Sequence, residues 1–357
     1  MEIVTVSPLE ERPLGLLSPS RLNTILKCPL SGLYNHDGNS AYFPVGNSHF
    51  ASLGNVIHDV FKSANRGNIN SDESFSQIWY SAEEKQIKGG LKNIVPNYGK
   101  IKYSIRKQLV KPRINGLKSY AKGYYGIPEK MIEDKEHGVK GQPDLVAFRY
   151  NVPYEIKDYK TGEVFDPVTL EPDREEQNRS FEEIKEGFKN QLHLYAFLVN
   201  RKYGSYPQFL TIVTAAGEEI RTGCEQGKVD FLMNMIKSCK DRIQNEIAAD
   251  LANPSLSNCR FCPFKPGCKW RYSSDSDAFV DIEGVVSNVQ FPPYGNFTIH
   301  LQNGEHLFHK LPFEGGPEKL KEIIQKKVFV SNVRYEVLEK KLYTTSKYTK
   351  IYVKNNY

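Results

Sequence analysis

The chain has 357 residues, long enough for two or three domains, with 39% apolar and 25% charged residues and a formal net charge of +6. No stretch approaches the roughly 20 consecutive apolar residues that a spanning helix needs, so no membrane partner is expected. The opening MEIVTVSPLEERPLGLL lacks a basic stretch leading into an apolar run, so a secretory signal is not expected and a cytoplasmic location is.

In chain order, Leu17 to Cys28 reads as a helix start, with Ser18 as N-cap, Pro19 at the first helical position and Leu22, Ile25 and Leu26 as the apolar stripe. Cys28 falls at its end, just before Pro29, an exposed place suited to a ligand. Residues 52–64 form a second helix that buries Val56, Ile57, Val60 and Phe61, while His58 shares another side with Gly54. Helices are expected over 72–90 and 100–122, the latter interrupted by Pro112. From Lys100 to Lys122 there are eight basic residues and no acid, with Tyr103, Tyr120, Tyr124 and Tyr125 within or just after them. Such a run suits phosphate attraction and base stacking, and equally a solvated helix face.

Two strands follow, VKGQPDLVAFRY and VPYEIKDYK, joined by a turn near Asn151. An acidic, Pro-containing loop covers 163–180, then a helix over about 181–202, a buried strand QFLTIVTA and a helix over 229–247. Helices alternating with strands imply an α/β class with a mixed sheet. After Trp270 the character changes. SSDSD reads as a linker, and five strand-like runs with one helical piece after the third follow the order of an OB-type barrel, with an SH3-like barrel as the competitor. Five lysines and no acid lie beyond residue 339, which suits nucleic-acid contact or the protection of strand edges.

Asp144 lies in an apolar strand, where a carboxylate needs a partner or a cation. Asp158 and Lys160 are two apart on the next strand and therefore share a face. Two carboxylates on neighbouring strands suit a hard divalent cation such as Mg²⁺ or Mn²⁺, and a nearby lysine suits water activation and charge stabilisation at phosphorus. Glu155 and Lys157 have the same spacing one register away. The face carrying Val152, Tyr154 and Ile156 is the more apolar, so it is expected to point inward and the chemistry is assigned to Asp158 and Lys160. Gln191 and Tyr195 are i, i+4 neighbours on one helix side. Cys259, Cys262 and Cys268 form C-x2-C-x5-C, and Cys28 can complete a four-thiolate site of zinc or iron–sulfur type. Cys224 and Cys239 have no partner spacing, and Cys239 is expected in the core.

In this order, G-x-x-x-H (54–58), P-D (143–144), D-Y-K-T-G (158–162) and Q-x-x-x-Y (191–195) make the chain resemble the RecB-type branch of the PD-(D/E)XK nucleases over about residues 18–270. One cysteine before the histidine motif and three after the last core helix resemble its iron–sulfur members, such as the CRISPR-associated RecB-like exonucleases and the AddB nuclease domain. The resemblance implies a restriction-endonuclease-like core, His58, Asp144, Asp158 and Tyr159 as metal ligands, and Lys160 as a catalytic residue beside Asp144 and Asp158. It gives Gln191 and Tyr195 an assisting role and places a [4Fe–4S] cluster on Cys28, Cys259, Cys262 and Cys268. No G-x-x-x-x-G-K-[ST] occurs, so any motor belongs to another subunit.

The expected organisation is a nuclease domain with an iron–sulfur clasp over 1–272, a linker at 273–278 and an OB-like barrel over 279–357. The expected activity is Mg²⁺- or Mn²⁺-dependent hydrolysis of DNA, single-stranded or at ends, in repair, recombination or antiviral defence. The alternative is a non-catalytic DNA-end-binding subunit of a helicase-nuclease or defence complex. Either reading admits a helicase or defence-complex protein as partner.

Overall fold

Apolar spacing of three and four residues builds the helices of the first half of the chain, and alternation builds the strands of the second. The computed structural model describes residues 14–34, 42–44, 49–86, 91–92, 95, 97–116, 123–165, 180–272, 280–291, 297–309, 320–337, 342–345 and 349–354. The first elements are α1 (Pro19–Lys27), β1 (Tyr42–Pro44), α2 (His49–Asn65), α3 (Asp72–Gln86) and α4 (Tyr98–Gly116). Next come β2 (Tyr124–Pro128), β3 (Ile132–Asp134), β4 (Val139–Gly141), β5 (Leu145–Arg149) and β6 (Val152–Lys160). They are followed by α5 (Glu186–Tyr203), β7 (Phe209–Thr214), β8 (Glu219–Gly223), α6 (Gln226–Asn245), α7 (Ala248–Leu251) and α8 (Leu256–Cys259). The last strands are β9 (Val280–Gln290), β10 (Phe297–Leu301), β11 (His306–His309), β12 (Lys327–Val337), β13 (Leu342–Thr344) and β14 (Lys350–Lys354).

The described residues fall into two compact units, 14–26 with 50–239 and 27–49 with 240–357. The cysteine segment therefore groups with the C-terminal strands. The linker expected at 273–278 and most of the loop expected at 163–180 lie outside the described residues, as does Tyr120.

The first unit is an α/β fold around a mixed sheet in the order β2-β5-β6-β7-β8. All its pairs are antiparallel except β6 with β7. Parallel neighbours need a long crossover, and α5 lies within that connection and packs on both strands. From α2, α3 and α4, Val56, Ile57, Val60, Phe61, Phe75, Trp79, Ile105 and Leu109 bury themselves with Tyr159 and Val213 of the sheet. Each large side chain so enclosed contributes about 1.5–3 kcal/mol relative to exposure. Within this layer Trp79 Nε1 donates to Tyr98 Oη (2.6 Å), and Tyr98 donates to buried Glu83 (2.8 Å), so the polar atoms are not orphaned.

Three expectations are corrected here. The stretch 139–150 is two strands, β4 and β5, and Asp144 stands in the break just before β5. Pro143 cannot donate to a ladder, which ends the first run. Pro112 lies inside the backbone span of α4 rather than interrupting it. Lastly, β6 is not buried on one face alone: Val152 is 52% exposed while Glu155 is 6% exposed. A central strand between packed layers is covered on both sides, and a bulge between Ala147 and Phe148 shifts its register near the hairpin. The hairpin itself is the expected tight turn, with Tyr150 and Asn151 both at positive φ.

In the second unit, β9 pairs antiparallel with β10 and with β12. β10 pairs antiparallel with β11, β11 parallel with β13, and β13 antiparallel with β12. The five pairings thus lead back to β9. The last sequence run is two strands rather than one: β14 adds to β12, and β1 adds to β14. Ile282, Val286, Phe297, Ile299, Leu307, Val328, Val330 and Val333 form the apolar core. Asn332 interrupts β12 at φ +59°, a conformation asparagine tolerates better than most residues, and the register with β9 shifts there.

Candidate active site

Four elements of the first unit converge on one cluster of polar side chains. α2 brings His58, the break before β5 brings Asp144, the end of β6 brings Asp158 and Lys160, and α5 brings Gln191 and Tyr195. His58 Nδ1 lies 3.6 Å from Asp144 Oδ1, and that contact, followed by burial acting the other way, raises the affinity of the imidazole for a proton. The second Asp144 oxygen accepts the backbone N–H of Tyr159 (2.7 Å). Asp158 is only 1% exposed. Its Oδ2 stands 2.6 Å from Lys160 Nζ, and its Oδ1 accepts from Gln191 Nε2 (3.1 Å). Burial pushes the Asp158 carboxyl up to about 6, against the pull of Lys160 and with the help of Asp144.

Gln191 is the hub of this arrangement. Its Oε1 accepts from Lys160 Nζ (2.9 Å), and its Nε2 donates to Asp158 and to Tyr195 Oη (2.8 Å). One amide therefore fixes an acid, a base and a phenol at once. Burial, then the Asp158 charge, keeps the Tyr195 phenol protonated far above its ordinary range.

Glycines let the elements approach. A Cβ on Gly141 would lie 2.7 Å from Tyr195 Cε1, and one on Gly54 would lie 3.3 Å from Thr161 Oγ1. The competing register is engaged elsewhere. Glu155 accepts from Thr211 Oγ1 (2.6 Å) and pairs with Arg221 (3.1 Å), and Lys157 reaches Glu219 (2.7 Å). The Tyr159 phenol is not in the cluster: it stacks on Phe61 (4.0 Å between centroids) and donates to Asn65 Oδ1 (3.2 Å), leaving only its main chain beside Asp144.

Three residues of this neighbourhood carry no motif. The Phe188 ring lies 4.7 Å from Lys160 Nζ, and the Lys62–Glu129 ion pair flanks the main chain of Asp144 through the Glu129 N–H (3.2 Å to the Asp144 carbonyl). Phe188 sits one helical turn before Gln191, which is the signal that could have found it. Glu129 offers no such signal. A separate Asp134, Glu136 and His137 group has ligand atoms within 4.8 Å of one another. Its two carboxylates are already held by Arg201, at 2.8 and 2.5 Å. Of the basic run, Lys102 covers the Tyr80 ring (3.9 Å) and Arg106 pairs with Asp72 (2.7 and 2.5 Å). Tyr103 is 63% exposed.

The sulfur residues meet in the second unit. Cys28, Cys259, Cys262 and Cys268 line one cavity with Ser31, Tyr34, Lys265 and Arg271. None is in a disulfide. Cys28 is partly buried, not the exposed ligand expected, because the chain turns at Pro29 into a 3₁₀ helix (Pro29–Leu33). Asn253 and Asn258 side chains both donate to the Lys27 carbonyl (2.9 and 3.1 Å), which ties the Cys28 segment to the run that follows α7. Lys265, 8% exposed, pairs with Asp281 of β9 (2.7 Å). The same carboxylate accepts the Asn332 N–H (3.2 Å), and Asn332 Nδ2 donates to the Arg260 carbonyl (2.9 Å). Cys239 is buried elsewhere, 7% exposed and 3.5 Å from the Ile25 carbonyl.

Residues 16–269 match the family model of the PD-(D/E)XK nuclease superfamily. No curated protein matches the chain. Among solved structures, a crystal structure from Eubacterium rectale, of a protein named as a candidate exonuclease, is 14% identical with a TM-score of 0.40. It covers 66% of this chain and 84% of its own.

Proposed function

The chain belongs to the PD-(D/E)XK nuclease superfamily, and on that premise we propose that it is a Mg²⁺- or Mn²⁺-dependent deoxyribonuclease of the RecB-like, iron–sulfur branch. The carrying observation is the buried Asp158 carboxylate beside Lys160, with Asp144 opposite and Gln191 bridging acid and base. The donor chemistry fits a hard divalent cation: two carboxylates and one imidazole, His58, on elements that hold them in the absence of an ion. Asp144, Asp158, His58 and the main chain of Tyr159 are the groups assigned to it. Bound there, such a cation supplies Lewis acidity toward a phosphodiester and lowers the pKa of water.

The remaining roles fall to the chain's own side chains. Lys160 is placed to stabilise charge developing on phosphate oxygens. Gln191 holds Lys160 toward Asp158, Tyr195 holds Gln191, and Phe188 covers the ammonium. The basic, tyrosine-bearing face of α4 is assigned to single-stranded DNA or DNA ends, through phosphate attraction and stacking. The circuit of pairings β9-β10-β11-β13-β12 supports an OB-type barrel. The proposed role is in DNA repair, recombination or defence, with a helicase or defence-complex subunit as partner.

The cysteine cavity fits a thiolate-held group: four thiols outside any disulfide around one space, with the Tyr272 N–H donated to Cys259 Sγ. A [4Fe–4S] cluster is the proposed occupant, with a structural role.

The test is cleavage of end-labelled single-stranded DNA in Mn²⁺ beside a gel shift in EDTA. The wild type cuts, and Asp158→Ala and Lys160→Ala bind without cutting. Cutting at the parent rate by both variants overturns the site assignment. Binding without turnover by the wild type favours the non-catalytic end-binding alternative.

A further inference from the structure

Backbone donors surround the cysteine cavity unevenly. The N–H of Tyr272 reaches Cys259 Sγ at 3.4 Å. The Ser31 N–H is spent on the Cys28 carbonyl (2.9 Å). Tyr34 lines the same cavity as the fourth sulfur residue, Cys268.

Tyr34 is 3% exposed, and its ring packs at a tilt against Phe264, 4.7 Å between centroids. The hydroxyl has no protein partner in hydrogen-bond geometry. Ser31, 2% exposed, lines the same cavity, and its Oγ is likewise unmet. Buried hydroxyls without partners are uncommon in folded proteins and ask for a reason. Two of them facing one space walled by four thiols share the simplest reason: a sulfur-bound occupant whose acceptors complete their bonds. A tyrosine O–H is a donor that thiolate and sulfide sulfur can accept.

We propose that the Tyr34 hydroxyl, seconded by that of Ser31, donates to the sulfur of the group held by Cys28, Cys259, Cys262 and Cys268, and so governs how firmly that group is held and how readily it is reduced. The proposal rests on the reading of the cavity as a thiolate-held site. Hydrogen bonds to sulfur stabilise the more negative, reduced state of an iron–sulfur cluster, and solvent exposure and net charge act beside them. Tyr34 and Ser31 are positioning residues; neither ligates.

The experiment compares full-length wild type, Tyr34→Phe and Ser31→Ala, each purified without oxygen. Tyr34→Phe keeps the ring that packs against Phe264, so packing is preserved. Iron and acid-labile sulfide per chain test the cluster reading; midpoint potential and the rate of metal release to a chelator test the hydroxyls. Tyr34→Phe should carry wild-type iron and sulfide, with the reduction equilibrium moved toward the oxidised form on the order of tenfold, about 59 mV for one electron. It should also release its metal several-fold faster, and Ser31→Ala should follow in the same direction with a smaller change.

Wild-type potential and release in Tyr34→Phe overturn the proposal, and wild-type behaviour of Ser31→Ala removes that residue from it. A wild type that carries zinc without sulfide refutes the cluster, and the release rate then decides alone: faster loss from Tyr34→Phe supports the hydroxyl, an equal rate overturns it. A wild type that takes up neither metal overturns both readings.

Discussion

The two candidate sites are built on opposite plans. The oxygen site stands on regular structure, the ends of β6 and α5, a face of α2 and the entry to β5, and its buried carboxylate already has a lysine and an amide for company. The sulfur site stands on short turns between α7 and β9 and on a 3₁₀ segment, and two of its buried hydroxyls are unmet. A site with internal counter-charges keeps its shape when its ion leaves. A site of unmatched donors on irregular backbone depends on its occupant for order. On the proposed function, the contrast separates a centre for chemistry, which exchanges its ion and substrate, from one for support.

The largest expected effect sharpens that contrast on the sulfur side. Cys262→Ser should strip most of the bound iron and leave residues 240–357 open to limited proteolysis, with cleavage faster by on the order of tenfold or more, as when a group binding only the folded state is lost. Resistance equal to wild type would contradict the dependence of this unit on its occupant. Next comes the oxygen side. Asp158→Ala and Lys160→Ala should each lower DNA cleavage by on the order of 10²–10³-fold, with iron content and protease resistance unchanged. Coupled losses of iron and activity in these variants would erase the separation.

A smaller effect is expected for Gln191→Ala, which removes charge-assisted hydrogen bonds worth about 1.5–3 kcal/mol each. The fall in kcat should be roughly 10–100-fold, with Gln191→Glu failing to restore it because a carboxylate cannot donate to Asp158 and Tyr195. The mildest is Gly141→Ala, which drives a methyl into the Tyr195 ring and should cost about 1–3 kcal/mol in urea unfolding. An unchanged midpoint would show that Tyr195 moves freely.

The sequence carried the oxygen cluster further than the sulfur one. His58, Asp144, Asp158, Lys160, Gln191 and Tyr195 were all picked out by residue type and order, and the structure brings them together. Spacing could not place Asp144 correctly, because Pro143 divides what reads as one apolar run. Alternation assigns the chemistry to Asp158 over Glu155 on a strand whose two faces are both buried; their partners differ, Gln191 for Asp158 and Arg221 for Glu155, and both are remote in sequence. The cysteine spacing was legible, while Tyr34 and Ser31 were not, because a lone hydroxyl gains meaning only from what the fold leaves unmet around it. The strands β2, β3 and β8 also escaped notice. They are short, polar or tyrosine-rich, and they exist because neighbouring strands offer them a ladder. The pairing of β1 with β14 joins residues some 300 positions apart, beyond the reach of any local pattern.

The central claim is that Asp144 and Asp158 share one divalent ion. Crystals soaked in Mn²⁺ test it most directly through anomalous scattering. The expected result is a single strong peak at about 2.0–2.6 Å from one oxygen of each carboxylate, the range for hard cations bound by oxygen, and its loss in Asp158→Ala. An empty space between those oxygens in crystals of protein that cuts DNA in Mn²⁺, or a peak that survives the substitution, would contradict it.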